Sequence, residues 1–182
     1  MAIKILEITI EEFEKDAYKK YIELFPEDER RPLKNIAISF SKGIEKIYKI
    51  LLNDQMIGFV LLEKIFDYPY YLDYFAILKE YQNNGYGTQA MQLIIEKFSQ
   101  YGIIGEIEKV VDSDSYTKKR HDFYKNLGFE DVDSEYLLYD VLYTPIVCNV
   151  KKEKATLDKI FFDYYIMNNG ENMIKKNCRI IR

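Results

Sequence analysis

The feature that most constrains this chain is Gln82-Asn83-Asn84-Gly85-Tyr86-Gly87, a glycine-bearing turn set between a strand and a helix. Ahead of it, Tyr70-Tyr71-Leu72-Asp73-Tyr74-Phe75-Ala76-Ile77-Leu78 is aromatic and β-branched enough to predict a strand. Behind it, Ala90, Met91, Ile94, Ile95 and Phe98 recur at helical spacing and predict one apolar helix face. A helix opening on such a turn presents unpaired backbone N–H groups and the positive end of its dipole. Those groups bind phosphate without any basic side chain. The turn is therefore read as a seat for a phosphorylated cofactor.

What the turn lacks narrows the cofactor. A P-loop needs Lys and then Ser or Thr after its second glycine, whereas Gly87 is followed by Thr88 and Gln89. A dinucleotide fingerprint stands in the first βα unit of its fold, whereas this turn begins only at Gln82. The plain alternative is an ordinary turn that uses glycine for its φ angles. Gln-x-x-Gly-x-Gly directly after a strand resembles the acetyl-CoA pyrophosphate loop of the GNAT family of N-acetyltransferases. A second segment points the same way. Residues 112–127 read as a loop and a helix, with Tyr116, Phe123 and Leu127 on one side. Gly128 is placed to close that helix in a left-handed cap, with Phe129 supplying the apolar contact beyond it. The string Phe123-Tyr124-Lys125-Asn126-Leu127-Gly128-Phe129 resembles the second signature of the same family. The two stand in the family's order, with a helix and a strand over 103–111 between them. The resemblance covers residues 45–130, and the flanks follow by element order.

The resemblance implies an α+β fold with a mixed, splayed sheet of about seven strands flanked by helices, plus an extra C-terminal helix. A GNAT-like domain is expected over 1–150, with a helical extension over 151–182 packed on it. The remaining signals fit this order. A first strand runs over 3–8, and Thr9-Ile10-Glu11-Glu12 reads as a capping box. One helix then carries Phe13, Ala17, Tyr21 and Leu24 inward and ends at Pro26, and a second runs from Pro32 to Gly43. Strands over 44–52 and 56–66 form a hairpin about Asn53-Asp54-Gln55, and later strands are read at 136–143 and 145–150. After Lys151-Lys152-Glu153-Lys154, a last helix carries Leu157, Ile160, Phe161 and Tyr164 and ends at Asn168-Asn169-Gly170.

Composition excludes several classes. With 182 residues and 48% hydrophobic content, the chain suits one domain with one core. No apolar run approaches the ~18 residues of a membrane span, and Met1-Ala2-Ile3-Lys4 does not open a signal peptide. Cys148 and Cys178 form no motif, so neither a disulfide framework nor a metal site is expected, and the cytoplasm is the default location. Net charge −4 argues against nucleic acid as a partner. A homodimer stays open.

The resemblance assigns residues to three chemical tasks. Backbone N–H groups of Gln82, Asn83, Asn84, Gly85, Tyr86, Gly87 and Thr88 would hold the acetyl-CoA pyrophosphate. Main-chain groups of Phe75, Ala76 and Ile77 would pair with the pantetheine arm like an added strand, and the N–H near Ile77 would polarise the thioester carbonyl. Tyr124 takes the position of the acid that protonates the departing thiolate, against a packing role as one of 17 tyrosines. The acceptor, a primary amine of a small molecule or peptide with a pKa of ~10, must lose a proton before it attacks. Asp73 is the first choice of base, by period two on the face of Phe75 and Ile77. Glu106 and Glu108 compete, and a plain salt-bridged carboxylate is the alternative for all three. His121 falls in a charged run and is left out, and Arg120 is a candidate for the CoA phosphates. Neither cysteine falls in a motif, which favours direct attack over an acyl-cysteine. Two rivals are a non-catalytic acyl-CoA-binding module and an interaction protein using the tyrosine-rich stretch 136–165.

Overall fold

Local signals set most of the element boundaries in the computed structural model, which describes residues 2–111 and 113–181, Asp28 by its backbone only. Met1, Asp112 and Arg182, which the sequence reading placed at the two ends and at the start of the loop after residue 111, lie outside the described residues. The chain divides into two compact units. One takes in the chain up to Phe66 and Leu72–Lys97, the other Asp67–Tyr71 and the chain from Phe98.

In the first unit, Thr9 caps α1 (Ile10–Asp16) with the expected reciprocal box: its hydroxyl accepts from the Glu12 N–H while Glu12 accepts from the Thr9 N–H at 2.9 Å. The single helix expected here is broken at Ala17, whose φ of −122° is not helical, and resumes as α2 (Tyr18–Leu24). The Ala17 N–H still reaches the Phe13 carbonyl and the Tyr21 N–H still reaches Ala17. Phe13, Ala17 and Tyr21 therefore stay buried together despite the break. Pro32 precedes α3 (Leu33–Ser41). Strands β1 (Ile3–Glu7), β2 (Glu45–Leu52), β3 (Gln55–Glu63) and β4 (Tyr70–Ile77) lie side by side in that order. Asn53 and Asp54 turn the β2–β3 hairpin with φ of 48° and 66°.

Helices cover both faces of these strands. Phe13, Tyr21, Ile36, Phe59, Leu61 and Tyr74 fill one side, while Ile50, Ile57, Ile77 and Ala90 of α4 (Tyr86–Lys97) fill the other. Each fully buried Ile or Phe contributes about 1.5–3 kcal/mol. A Cβ on Gly58 would stand 2.3 Å from the Ala76 carbonyl oxygen, so only glycine lets β3 approach β4 this closely.

In the second unit, β5 (Ile103–Glu108) runs parallel to the start of β4 through Tyr70↔Ile103 and Tyr71↔Ile104, and the ladder stops there. On its other side β5 pairs antiparallel with β8 (Val141–Cys148), which also pairs with β6 (Glu130–Asp131) and β7 (Glu135–Leu138). Last comes β9 (Cys178–Ile181), paired with β7. The mixed sheet and flanking helices are those expected, but the described residues form nine strands rather than seven. The added pieces are the two-residue β6 and the terminal β9. A second correction concerns the hairpin over 135–148. Its turn falls at Tyr139-Asp140, with φ of 48° and 68°, inside the stretch read as a single strand. Helices α5 (Ser115–Asn126), α6 (Lys154–Asn169) and α7 (Glu171–Asn177) complete the unit. Residues 151–181 belong to it together with 98–150.

Register fixes one face of this second unit. Tyr71 stands opposite Ile104, Glu106 opposite Pro145, Glu108 opposite Tyr143, and Tyr143 opposite Tyr136. Directly paired residues share a face, and so do residues two apart. Tyr71, Glu106, Glu108, Tyr143 and Tyr136 therefore line one surface, over which α6 packs Phe161, Tyr164 and Tyr165.

Candidate active site

The turn after β4 is built to leave backbone donors unused. Asn83 and Gly85 take positive φ, 62° and 76°, which turns the chain sharply into α4. Gln82 braces this bend: its side-chain amide donates to the Ile77 carbonyl at 2.8 Å and its own N–H donates to Lys79. Asn84 adds a bond to the Gln82 carbonyl. Among the described residues, the N–H groups of Asn83 to Thr88 make no hydrogen bond to the chain, and the first helical one, from Gln89, returns to Gly85. That row of donors at the start of a twelve-residue helix has the make-up of an anion cradle. Gln82 is corrected here: its N–H is taken, so it holds the cradle instead of lining it.

Beside the cradle, Leu72–Ile77 of β4 pair with β3 on one edge, and among the described residues no strand pairs with the other. Phe75, Ala76 and Ile77 lie on this stretch. An unpaired strand edge offers main-chain groups to an extended ligand.

Asp73 is not a solitary strand carboxylate. It meets the Arg31 guanidinium, which also binds Glu45 at 2.9 Å and Glu63 at 2.7 Å. Glu45 and Glu63 face each other across β2 and β3, and their side chains are fully buried. The three carboxylates lie within 4.8 Å of one another, a set that would otherwise suit a metal ion; Arg31 supplies the cation. Burial pushes both Glu45 and Asp73 above the usual carboxylate range, with Arg31 pulling the other way. Burial opposes the Arg31 charge, but Asp73, Glu45 and Glu63 together raise its pKa. The loop carrying Arg31 is pinned as well. Tyr21 donates to the Arg31 carbonyl, while the Tyr74 hydroxyl accepts from the Arg31 N–H and donates to the Glu29 carbonyl. Sequence reasoning missed this cluster; three acids converging on one arginine leave no local pattern.

In the second unit, α5 ends as expected. The Gly128 N–H bonds to Lys125 and the Phe129 N–H to Tyr124, with Gly128 at φ 87°, a Schellman closure. The closure sets the Phe129 ring edge-on to Tyr124 at 5.2 Å, with Phe123 on another side at 5.0 Å. Burial pushes the Tyr124 hydroxyl up to about 12, against a lowering pull from Arg120. Arg120 lies 3.6 Å from Glu108 and stacks over Tyr116. His121 bonds to Asp131 at 3.0 Å. Thr117 is buried and ties the loop, accepting from the Val111 N–H and donating to the Asp114 carbonyl. Glu106 is half-buried and accepts a bond from the Tyr71 hydroxyl.

The model of the acetyltransferase (GNAT) family matches residues 5–129, and the chain belongs to that family. It is an acetyltransferase. Among curated proteins compared by sequence, none matches. Solved structures share the fold. A protein assigned to the GNAT acetyltransferases of Bacteroides thetaiotaomicron is 22% identical, with TM-score 0.80 over 92% of this chain and 99% of its own. The ribosomal-protein-S18-alanine N-acetyltransferase of Escherichia coli is 14% identical, with TM-score 0.60 over 84% and 96%. A GNAT family acetyltransferase of Elizabethkingia anophelis, with acetyl-CoA bound, is 13% identical, with TM-score 0.55 over 81% and 98%.

The cradle carries a direct prediction. Gly87→Val is expected to weaken acetyl-CoA binding by at least about tenfold, because a branched side chain in the first turn stands where backbone must meet the pyrophosphate. Calorimetry on the folded variant measures it, and an unchanged Kd would mean the pyrophosphate sits elsewhere.

Proposed function

We propose that the protein moves the acetyl group of acetyl-CoA to a primary amine of a small molecule or peptide by direct attack. The observation that carries the reading is the row of unused donors from Asn83 to Thr88 beside the open edge of β4. The donors and the α4 dipole take the pyrophosphate, the edge at Phe75 to Ile77 takes the pantetheine arm, and a β4 N–H polarises the thioester carbonyl. Tyr124 donates the proton that the CoA thiolate needs on leaving.

Asp73, Glu106 and Glu108 are the candidates for the base that frees the amine. Asp73 is held by Arg31, Glu108 stands beside Arg120, and Glu106 accepts from the Tyr71 hydroxyl. Direct attack is supported by the cysteines. Both are free and buried, and burial raises their thiol pKa, Cys178 to about 11, the opposite of what an acyl-accepting thiolate requires. Free thiols also fit a reducing cytoplasm. Among the described residues no helix is long and apolar enough to cross a membrane.

The test is CoA release from acetyl-CoA with alkylamines, aminoglycosides and peptides bearing free amino termini or lysines. Release that depends on one amine class names the acceptor. Tight acetyl-CoA binding with no release above hydrolysis for any amine would sink the transfer reading.

A further inference from the structure

The face of the second unit beneath α6 is unusual in chemistry: a half-buried carboxylate, Glu106, set in a wall of tyrosines. Tyr71 donates to Glu106 and stacks on Tyr164 at 5.0 Å with planes 20° apart. Tyr165 stands edge-on to both Tyr71, at 6.5 Å, and Tyr136, at 6.2 Å. The Tyr165 hydroxyl is buried and has no hydrogen-bond partner among the described residues. Such a hydroxyl has hydrogen-bonding capacity to offer a ligand. Glu106 lies within electrostatic reach of this hydroxyl and of Tyr136. At the rim Glu106 and Tyr143 are both partly exposed. Of these residues, Tyr136, Tyr143, Tyr164 and Tyr165 fall outside the stretch matched by the family model.

We propose that Glu106 and the Tyr165 hydroxyl seat the ammonium group of an alkylamine acceptor, with Tyr71 and Tyr164 as its aromatic wall. An alkylammonium has three donors and a positive charge. The carboxylate answers the charge, the lone pairs of the Tyr165 oxygen accept one donor, and the ring faces favour a cation while packing its methylene chain. A neutral alcohol of equal length would gain only the last of these. The inference rests on the amine-acceptor reading above and names the recognition within it.

Binding is measured without acetyl-CoA, so that it stands apart from turnover. Pentylamine, protonated at neutral pH, is titrated into the protein while tyrosine ring NMR shifts are followed, with pentanol as the uncharged control. The expected result is saturable binding of pentylammonium, with shifts at Tyr71 and Tyr165, and at least about tenfold weaker binding of pentanol. Glu106→Gln should weaken pentylammonium by a similar factor. Tyr165→Phe should weaken it a few-fold with no loss of Tm, since the deleted hydroxyl has no partner among the described residues to lose. No binding to the wild-type protein, equal binding of pentanol, or Kd values unchanged in Glu106→Gln would overturn the proposal. Unchanged affinity in Tyr165→Phe would overturn the part given to that hydroxyl. If pentylammonium binds as expected while no amine is ever acetylated, the transfer reading falls and the seat stands; the converse removes the seat alone.

Discussion

Tyr124→Phe is expected to lower kcat about 100-fold or more while leaving Tm and the Kd for acetyl-CoA in place. The two halves of this expectation have separate causes. Packing survives because the ring, not the hydroxyl, makes the edge-on contacts with Phe123 and Phe129. Among the described residues the hydroxyl forms no hydrogen bond, so its removal breaks none. Chemistry suffers because a hydroxyl pushed up to about 12 is fully protonated at neutral pH and stands ready as a donor. Arg120, which pulls that pKa down, would ease the phenolate that forms once the proton has gone. The measurement is kcat and KM with the best amine from the CoA-release panel, alongside calorimetry for acetyl-CoA. Equal kcat in the two proteins would return Tyr124 to packing and make water the proton donor.

The parts of this site that sequence reveals are those built from neighbours along the chain. The cradle is legible because its donors come from consecutive residues and its geometry from two glycines and a helix start. The Schellman closure at Gly128 is legible for the same reason. Where backbone work is invisible in side-chain type, the reading slips: nothing in the letter code shows that the Gln82 N–H is spent on Lys79. Turn chemistry shows the limit clearly. Asn53-Asp54 and Tyr139-Asp140 adopt nearly the same pair of left-handed φ angles, yet only the first advertises itself, because asparagine favours that region and tyrosine does not. The aromatic Tyr139 was absorbed into a strand, and the hairpin register went with it. Strand β9 escaped because four residues after a helix carry too little periodicity to read. Least legible of all was Arg31, which reaches Glu45 across 14 residues of sequence and Asp73 across 42. Such a convergence exists only in three dimensions. It also altered the functional reading, since it occupies the carboxylate that strand position alone had favoured as base.

That cluster yields the largest stability effect. Arg31→Met keeps much of the side-chain volume but removes the cation from among Glu45, Glu63 and Asp73, and should cost about 3–5 kcal/mol, the usual result of breaking a buried ion pair from one side. The pH dependence separates this cause from lost packing. Burial holds Glu45 and Asp73 above their usual pKa in the folded protein, and Arg31 is the main influence pulling them down. A carboxylate with a raised folded pKa binds its proton more tightly in the native state than in the unfolded one. Its contribution to stability is therefore full below the unfolded pKa, near 4, and is lost as pH rises through the folded value. Without Arg31 the folded values climb further and more is lost. The Tm gap between wild type and Arg31→Met should thus be small at about pH 5 and widen towards about pH 8. Adding Glu45→Gln to the variant removes one of the stranded charges and should recover part of the loss at the higher pH. Thermal unfolding of the three proteins at both pH values is the measurement. A gap that stays constant with pH would mean that Arg31 acts through packing and its hold on the loop before α3, with the charges already neutralised by protons.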